Sequence, residues 1–279
     1  MAGRRVVSKW IESIASELSG VAERPRREAE LLLMAYLQRD QIWLITHPDT
    51  EIEEDTKLIE WIRRRKANEP LEYITNSVSF YSEIFHIEPG VLIPRPETEL
   101  LIDEVLSCAD SNRETTIAEV GTGSGVISIV LARHLPKARI IAVDISSTAL
   151  EVARKNITEF GLEERIELRH GNLLDPVEEK IDILVSNPPY IARNAVLESN
   201  LDYEPDEALF GGEAGNEIII RLIDTVLDRD IDCFACEMGY DQKEGIVKYL
   251  EKERGRSLRF YKDLAGFDRG FVLKKKGKR

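Results

Sequence analysis

The residues best suited to chemistry in this sequence are Asn187-Pro188-Pro189-Tyr190, which directly follow an apolar strand candidate. The two prolines fix their backbone torsions and remove two N–H donors, and Pro188 holds Asn187 in an extended conformation. The side-chain oxygen of Asn187 and the carbonyl of Pro188 are then fixed acceptors, beside a Tyr190 ring that is free to stack on a planar group. Such acceptors suit a flat NH2 group, because they orient its nitrogen and stabilise the positive charge that it gains as it attacks. The candidate catalytic residues are Asn187, Pro188 and Tyr190, and the candidate substrate-binding residues are these three with Pro189.

A glycine-rich loop lies upstream, between a strand candidate and a helix candidate. It reads Glu119-Val120-Gly121-Thr122-Gly123-Ser124-Gly125. Its glycines let the backbone turn sharply and approach a ligand closely, and the N-terminus of the following helix offers free amide hydrogens. A dinucleotide-binding loop of the form GxGxxG would have a third glycine at position 126, where Val126 stands. The spacing therefore favours a nucleoside cofactor that lacks a pyrophosphate.

Polar side chains also end the next two strand candidates. Asp144 ends the second, where a carboxylate can accept hydrogen bonds from both ribose hydroxyls, and Asn172 follows the third, where it can meet an adenine edge. Together with the glycine loop they favour S-adenosylmethionine, whose methyl group is already activated, so that positioning suffices without a strong general base. For each motif taken singly, the alternative is an ordinary tight turn at the end of a strand. The candidate cofactor-binding residues are Glu119, Gly121, Thr122, Gly123, Ser124, Gly125, Asp144, Asn172 and Asn187.

Strand and helix patterns alternate through the part of the chain that carries these motifs. The strand candidates are Thr116 to Val120, Ile140 to Asp144, Ile166 to His170, Ile181 to Ser186, Cys233 to Glu237, Leu258 to Leu264 and Phe271 to Lys275. Amphipathic helices such as Ser147 to Phe160 separate the early strands. This alternation predicts an α/β fold with a doubly wound, mainly parallel sheet over residues 97–279.

The first 75 residues have a different, helical pattern. Apolar residues recur three and four positions apart in segments around Trp10 to Leu18, Ala29 to Leu37 and Leu58 to Ile62, which predicts a small helical domain over residues 1–75. Residues 76–96 are rich in aromatic and β-branched types, with Pro89-Gly90 as a turn signal. They predict a β-hairpin linker between the two domains.

Charge and composition exclude several classes of protein. The net charge of −13 over 279 residues argues against a general phosphate-binding surface for nucleic acid. The apolar stretches are far shorter than the roughly 20 residues that a membrane span requires. Arg4, Arg5 and Lys9 are not followed by an apolar stretch, so a secretory signal is not indicated and we expect a cytoplasmic location.

The three cysteines are too few for a disulfide framework in a chain of this length. Cys233 and Cys236 form a CxxC pair on a strand candidate, where residues three apart point to opposite faces. The pattern favours cysteines buried in the core over a redox or metal site, and we expect no metal.

The motifs, taken together, resemble the PrmC/HemK glutamine N5-methyltransferases, which modify peptide chain release factors. The similarity covers nearly the whole chain. Besides the glycine loop and Asn187-Pro188-Pro189-Tyr190, it is carried by Arg27 to Leu33, Trp43 to Pro48, Glu69-Pro-Leu-Glu-Tyr73, Gly90-Val-Leu-Ile-Pro-Arg-Pro-Glu-Thr-Glu99, Tyr203 to Gly212 and Lys262-Asp-Leu-Ala-Gly-Phe-Asp-Arg269. The Pro-Arg-Pro-Glu-Thr-Glu and Lys-Asp-Leu-Ala-Gly segments are much more specific than Asn-Pro-Pro-Tyr, which other amino-group methyltransferases share.

The resemblance implies a Rossmann-like, class I S-adenosylmethionine-dependent methyltransferase. Gly121 to Gly125 and Asp144 would hold the cofactor, with Asn172 beside the adenine, and Asn187 to Tyr190 would hold the glutamine of a Gly-Gly-Gln loop in a release factor. The helical domain would recognise this protein substrate, and we expect a monomer without sequence-specific nucleic-acid binding. Three alternatives stay open: a ribosomal-protein glutamine methyltransferase, an adenine N6 methyltransferase and a non-catalytic or dinucleotide-binding module.

Overall fold

Residues 4–196 and 201–276 are described by a computed structural model. They divide into two units, which we call the N-terminal unit (residues 4–77 with 201–203) and the C-terminal unit (residues 78–196 with 204–276). None of the helices described within these ranges is long and apolar enough to cross a membrane.

The N-terminal unit is mainly helical. Its elements are β1 (Arg4–Val6), α1 (Val7–Leu18), α2 (Pro25–Leu37), α3 (Gln41–Thr46), β2 (Glu51–Glu53), α4 (Thr56–Lys66) and α5 (Leu71–Thr75), with a 3-10 turn at Leu201–Tyr203. The predicted helices correspond to α1, α2 and α4, and their apolar faces pack into one core. The spacing did not predict α3, α5 or the antiparallel β1–β2 pair. Asp40 and Asp55 begin α3 and α4 by accepting hydrogen bonds from the free amides of the first turn.

The C-terminal unit alternates strands and helices, and its first strand includes Ser77, the residue before the boundary. Its elements are β3 (Ser77–Phe80), β4 (Glu83–His86), α6 (Thr98–Cys108), β5 (Thr115–Val120), α7 (Val126–His134), β6 (Ala138–Asp144), α8 (Ser147–Glu159), β7 (Ile166–His170), β8 (Ile183–Ser186), β9 (Ile191–Ala192), α9 (Asp206–Leu209), β10 (Phe210–Gly212), α10 (Glu217–Asp228), β11 (Cys233–Glu237), α11 (Lys243–Tyr249), β12 (Arg256–Lys262) and β13 (Asp268–Lys275). Within the described residues a seven-stranded sheet has the order β12-β13-β11-β8-β5-β6-β7. The five strands from β11 to β7 are parallel, and β13 and β12 extend the sheet antiparallel. The predicted doubly wound, mainly parallel sheet is confirmed.

The direction of strand addition reverses between two neighbouring central strands. The chain passes from β5 outward through β6 to β7, and then returns to place β8 on the other side of β5. In open parallel sheets, ligands bind beside the carboxyl ends of the strands at such a reversal. The glycine loop follows β5 and Asn187 follows β8, so the two strongest sequence motifs meet at this position.

The predicted hairpin is present. Pro89-Gly90 forms a turn, as its composition predicts, but this turn follows the hairpin and does not connect its two strands. The paired strands are β3 and β4, and Tyr81 and Ser82 connect them with positive φ angles of 50° and 62°. Positive φ is uncommon for residues other than glycine, so composition gave no signal there. Contacts with α6 hold the turn instead, because Glu99 accepts a hydrogen bond from the Tyr81 amide (2.7 Å) and Asp103 accepts one from its hydroxyl (2.7 Å).

A single buried side chain connects this hairpin to the glycine loop. Asn156, on α8, is fully buried. Its Oδ1 accepts a hydrogen bond from the His86 amide (2.8 Å), and its Nδ2 donates to the carbonyls of His86 (2.9 Å) and Ser124 (2.8 Å). Three backbone groups of two separate segments are thus satisfied by one carboxamide.

Replacing Asn156 by alanine should lower the free energy of unfolding by about 2–4 kcal/mol, because it leaves these three backbone groups unpaired in the interior. Urea unfolding of the parent and variant measures the difference. Asn112→Ala, at an exposed position, is the control and should stay within about 0.5 kcal/mol of the parent. An equally small loss in Asn156→Ala would show that Asn156 does not hold the loop.

Candidate active site

A cavity of about 290 Å³ opens where the central strands end, close to the lower end of the roughly 300–1,000 Å³ range of small-molecule sites. Nine of the twelve residues that the sequence predicted for the site line it. They are Gly121, Thr122, Gly123, Ser124, Asp144, Asn172, Asn187, Pro188 and Pro189. The other three, Glu119, Gly125 and Tyr190, lie outside the lining. Thr98, Pro94 and Glu207 line the cavity and were not predicted.

The glycine loop has the conformation that its composition predicts. Gly121, Gly123 and Gly125 have φ angles of 73°, 55° and 83°, in the region that glycine adopts at little cost. A side-chain carbon added at Gly125 would lie 3.2 Å from the Cβ of Ala153 on α8. Gly125 therefore brings the start of α7 close to α8, while Gly121 and Gly123 face the cavity.

Asp144 lies at the carboxyl end of β6, with a small exposed surface in the cavity. Its Oδ2 accepts a hydrogen bond from the Gly123 amide (2.8 Å), and its Oδ1 accepts one from the Ser146 amide (2.9 Å). Burial raises the pKa of Asp144 above its usual value, although these backbone amides act in the opposite direction. Each oxygen keeps acceptor capacity for a further donor, such as a hydroxyl group.

Glu119 lies beneath the glycine loop, fully buried. Its Oε2 accepts hydrogen bonds from the Thr122 hydroxyl (2.9 Å), the Ser128 amide (3.1 Å) and the Ser128 hydroxyl. Its Oε1 has no hydrogen-bond partner among the described residues, and burial raises the pKa of Glu119 to about 8. Glu119 thus supports the glycine loop through these hydrogen bonds. Its carboxyl group is largely protonated at neutral pH.

Asn187 belongs to a buried hydrogen-bonded chain that the sequence did not predict. Its Nδ2 donates to the Thr98 hydroxyl (3.0 Å), which donates to Oε2 of Glu237 (2.7 Å). The Tyr190 hydroxyl donates to Oε1 of the same carboxylate (3.2 Å). Burial raises the pKa of Tyr190 and, to about 7, that of Glu237. The one signal in the sequence was a charged residue, Glu237, at the end of an otherwise apolar strand.

The backbone after Asn187 is fixed by glycines of a neighbouring segment. β9 pairs in parallel with β10, and a side-chain carbon added at Gly211 would lie 2.4 Å from the Pro189 carbonyl oxygen. One added at Gly215, whose φ is 85°, would lie 2.6 Å from the Tyr190 carbonyl oxygen, which also accepts a hydrogen bond from Gln242 (3.0 Å). These close approaches explain why glycines stand at the two positions.

An ion pair between the buried Glu204 and the partly exposed Arg95 fixes the segment that leads into α6. Glu204, 6% exposed, accepts hydrogen bonds from the Ile93 amide (3.0 Å) and from the guanidinium of Arg95. The segment from Ile93 to Arg95 continues to Thr98, whose hydroxyl accepts a hydrogen bond from Asn187. No group of acidic, histidine or cysteine side chains in the described parts of the chain could hold a metal ion.

Comparison with known proteins matches both units. Residues 9–75 match the PrmC N-terminal domain, and residues 96–202 match the methyltransferase small domain. The release factor glutamine methyltransferase of Clostridium acetobutylicum is 37% identical over 254 residues, which are 87% of this chain and 88% of that protein. The chain belongs to the release factor glutamine methyltransferase family. Its relative of that name from Moorella thermoacetica is 38% identical over 94% of this chain and 95% of that protein.

Solved structures agree on the fold of this family member. The catalytic domain of human Mettl16, in complex with a MAT2A 3′UTR hairpin, superposes with a TM-score of 0.57 over 81% of this chain and 84% of that chain. At 14% sequence identity, the similarity concerns the class I methyltransferase fold alone.

Replacing Glu119 by glutamine should make the protein more stable than the parent as the pH rises. The folded-state pKa of about 8 lies above the unfolded value of about 4.3, so Glu119 ionises first in the unfolded chain and the free energy of unfolding of the parent falls between these pH values, by up to about 1.4 kcal/mol per pH unit. Glutamine keeps the three hydrogen bonds and does not ionise. Urea unfolding at pH 5, 6.5 and 8 measures the stability difference.

The difference in the free energy of unfolding between Glu119→Gln and the parent should grow with pH over this window and level off above about pH 8. Glu164→Gln, at an exposed position, is the surface control. A difference that does not change between pH 5 and 8 would mean that Glu119 ionises normally.

Proposed function

We propose that this protein transfers a methyl group from S-adenosylmethionine to the side-chain amide nitrogen of the glutamine in the Gly-Gly-Gln motif of a peptide chain release factor. The observation that carries the proposal is that the glycine loop and the first three residues of the Asn187 motif (Asn187 to Tyr190) line one cavity at neighbouring strand ends. A side-chain carbon added at Gly121 would lie 3.8 Å from the backbone oxygen of Asn187. The two segments therefore lie close together, which supports the binding of a methyl donor and an accepting amide side by side.

The groups that line the cavity suit the cofactor chemically. The backbone of Gly121 and Gly123 is free of side chains, Asp144 offers acceptors for the ribose hydroxyls, and Asn172 lies exposed at the edge where the adenine would end. When bound, S-adenosylmethionine supplies a methyl group that is already activated as a sulfonium. The task left to the protein is to place the accepting nitrogen in line with that methyl group.

The Asn187 motif suits a carboxamide substrate. Since Nδ2 of Asn187 donates to Thr98, its Oδ1 and the Pro188 carbonyl are the acceptors left for the two hydrogens of an NH2 group. Holding both hydrogens orients the nitrogen and stabilises the positive charge that develops on it. Tyr190 lies outside the cavity lining and packs against the core, with its hydroxyl bonded to Glu237, so stacking of its ring on the planar amide stays a prediction.

The N-terminal unit, we infer, recognises the protein substrate. It has a hydrophobic core of its own and contributes no residue to the cavity lining. Its helix α3 exposes Ile42 and Ile45 by about 70%, which gives a surface for another protein. Binding energy from such a surface would help to hold the target glutamine in place.

Incubation with S-adenosylmethionine and a purified bacterial release factor should add one methyl group to the glutamine of Gly-Gly-Gln, detected by mass spectrometry of peptides. The flexible two-carbon stem of glutamine can reach a narrow pocket, and asparagine at that position, with a shorter stem, should stay unmodified. Parallel reactions contain purified ribosomal proteins, adenine-containing DNA and RNA. A methylated ribosomal protein or methyladenosine, with an unmodified release factor, would replace the proposal by one of the alternatives.

Asn187→Ala should lower kcat about 10²-fold or more, the scale of a lost transition-state hydrogen bond, and change cofactor affinity much less. Turnover and binding of S-adenosylhomocysteine are measured on the same preparation. Turnover near the parent rate would contradict the role of Asn187.

Asp144→Ala should weaken binding of S-adenosylhomocysteine about tenfold to a hundredfold, because it removes charge-assisted hydrogen bonds worth about 1.5–3 kcal/mol. Titration calorimetry measures the affinity, with thermal unfolding as a check on folding. Asp175→Ala, at an exposed position outside the cavity lining, is the control. Equal affinities for the parent and Asp144→Ala would remove Asp144 from the cofactor site.

A further inference from the structure

Four side chains form a hydrogen-bonded chain that runs from the cavity into the core. Asn187 and Thr98 line the cavity, and Glu237, 1% exposed, lies behind them at the end of β11. Asn187 Nδ2 donates to Thr98 Oγ1 (3.0 Å), and Thr98 Oγ1 donates to Glu237 Oε2 (2.7 Å). Tyr190 donates its hydroxyl hydrogen to the other oxygen of Glu237 (3.2 Å).

The direction of these hydrogen bonds depends on the carboxylate. An ionised carboxylate only accepts, so the single hydrogen of the Thr98 hydroxyl points to Glu237 and leaves a lone pair facing Asn187. A lone pair calls for a donor, so Asn187 must turn its NH2 group toward Thr98 and its carbonyl oxygen away. If a donor replaced the carboxylate, Thr98 could donate to Asn187, whose carboxamide would then turn over.

We propose that Glu237 is a positioning residue, whose carboxylate acts through Thr98 to make Asn187 present its carbonyl oxygen, and not its NH2 group, to the substrate amide. The inference rests on the proposed function in one respect, that the substrate group at Asn187 is an NH2 donor. An NH2 group facing an NH2 group would be repelled, so the orientation of Asn187 decides whether the substrate binds productively.

Glu237 acts through its neighbours and not on the substrate. It does not belong to the cavity lining, and both of its oxygens already accept hydrogen bonds from Thr98 and Tyr190. A general base would need to reach the substrate proton directly or through one water. The geometry therefore assigns Glu237 to orientation.

The groups around Glu237 make its ionisation sensitive to pH near neutrality. The titratable and charged groups that face it are Cys236 on its own strand, Tyr190, Tyr261 of β12, Glu97 before α6 and Arg269 of β13. Burial is the largest cause of the pKa of about 7, Glu97 adds to it, and Thr98, Tyr190 and Arg269 oppose it. The pKa values of Tyr190, Tyr261 and Cys236 are all raised, so these groups stay neutral while Glu237 titrates.

The first experiment compares the steady-state kinetics of the parent and Glu237→Gln with a release factor substrate. Glutamine has the same shape, but its NH2 group donates and can reverse the chain. We expect kcat to fall at least about tenfold, with unchanged affinity for S-adenosylhomocysteine. The parent kcat/KM should decline as the pH drops below about 7, because protonated Glu237 can also donate, whereas Glu237→Gln should lack this decline. A variant with the parent kcat and the parent pH profile would overturn the proposal.

Two variants of Thr98 test the same hydrogen-bonded chain of side chains at a different residue. Thr98→Ser keeps the hydroxyl and should retain most of the parent kcat, whereas Thr98→Val has nearly the same shape without it and should lose kcat as Glu237→Gln does. Equal kcat values for the two variants would contradict a role for the hydroxyl.

Tyr261→Phe is the matched control beside Glu237. It removes a buried hydroxyl that has no hydrogen-bond partner among the described residues and leaves the chain from Asn187 to Glu237 intact. We expect the kcat and the pH profile of the parent. A loss as large as that of Glu237→Gln would mean that any change in this region of the core lowers activity, and would overturn the proposal.

A second measurement needs neither cofactor nor substrate. The side-chain amide signals of Asn187 in a ¹⁵N–¹H spectrum, assigned by their loss in Asn187→Ala, should shift with pH around 7 in the parent and stay constant in Glu237→Gln. If the parent methylates no release factor, the proposed function fails while this titration still tests Glu237. Signals that do not respond to pH in the parent would overturn the proposal about Glu237 alone.

Discussion

The cavity at the ends of the central strands depends on one constraint, the reversal of strand order between β5 and β8. The two strands lie side by side in parallel register up to Val120 and Ser186, and the buried Ser186 hydroxyl donates to the Val120 carbonyl (2.7 Å). The glycine loop follows Val120, and Asn187 follows Ser186. The space between them is the cavity, with the glycine loop on one side and Asn187 on the other.

Buried carboxyl groups hold both sides of this cavity. Glu119 supports the glycine loop, Asp144 binds its Gly123 amide, and Glu237 holds Thr98 and Tyr190 behind Asn187. Burying ionisable groups is unfavourable unless hydrogen bonds compensate, and in all three burial raises the pKa. Hydrogen bonds offset this penalty, because each carboxyl oxygen can accept several of them at once. The same hydrogen bonds fix several elements relative to one another.

Rigidity is the common property of the substrate side. The carbonyl oxygens of Pro189 and Tyr190 lie so close to Gly211 and Gly215 that a side-chain carbon at either glycine would collide with them. The Glu204–Arg95 pair fixes the segment before Thr98. An amide nitrogen is a poor nucleophile because its lone pair is delocalised into the carbonyl group. Its methylation depends on accurate placement, which requires groups that do not move when the substrate binds.

The sequence by itself determined the features that local chemistry encodes. Alternating apolar patterns gave the order of strands and helices, the glycine spacing predicted the loop, and two prolines fixed the backbone after Asn187. The tertiary structure alone decided which distant residues complete the site. Thr98, Glu204 and Glu237 are far apart in the chain, and the turn at Tyr81 and Ser82, with its positive φ angles, is bonded to α6 through Tyr81. No short-range pattern records such pairings, because they arise only when separate elements pack together.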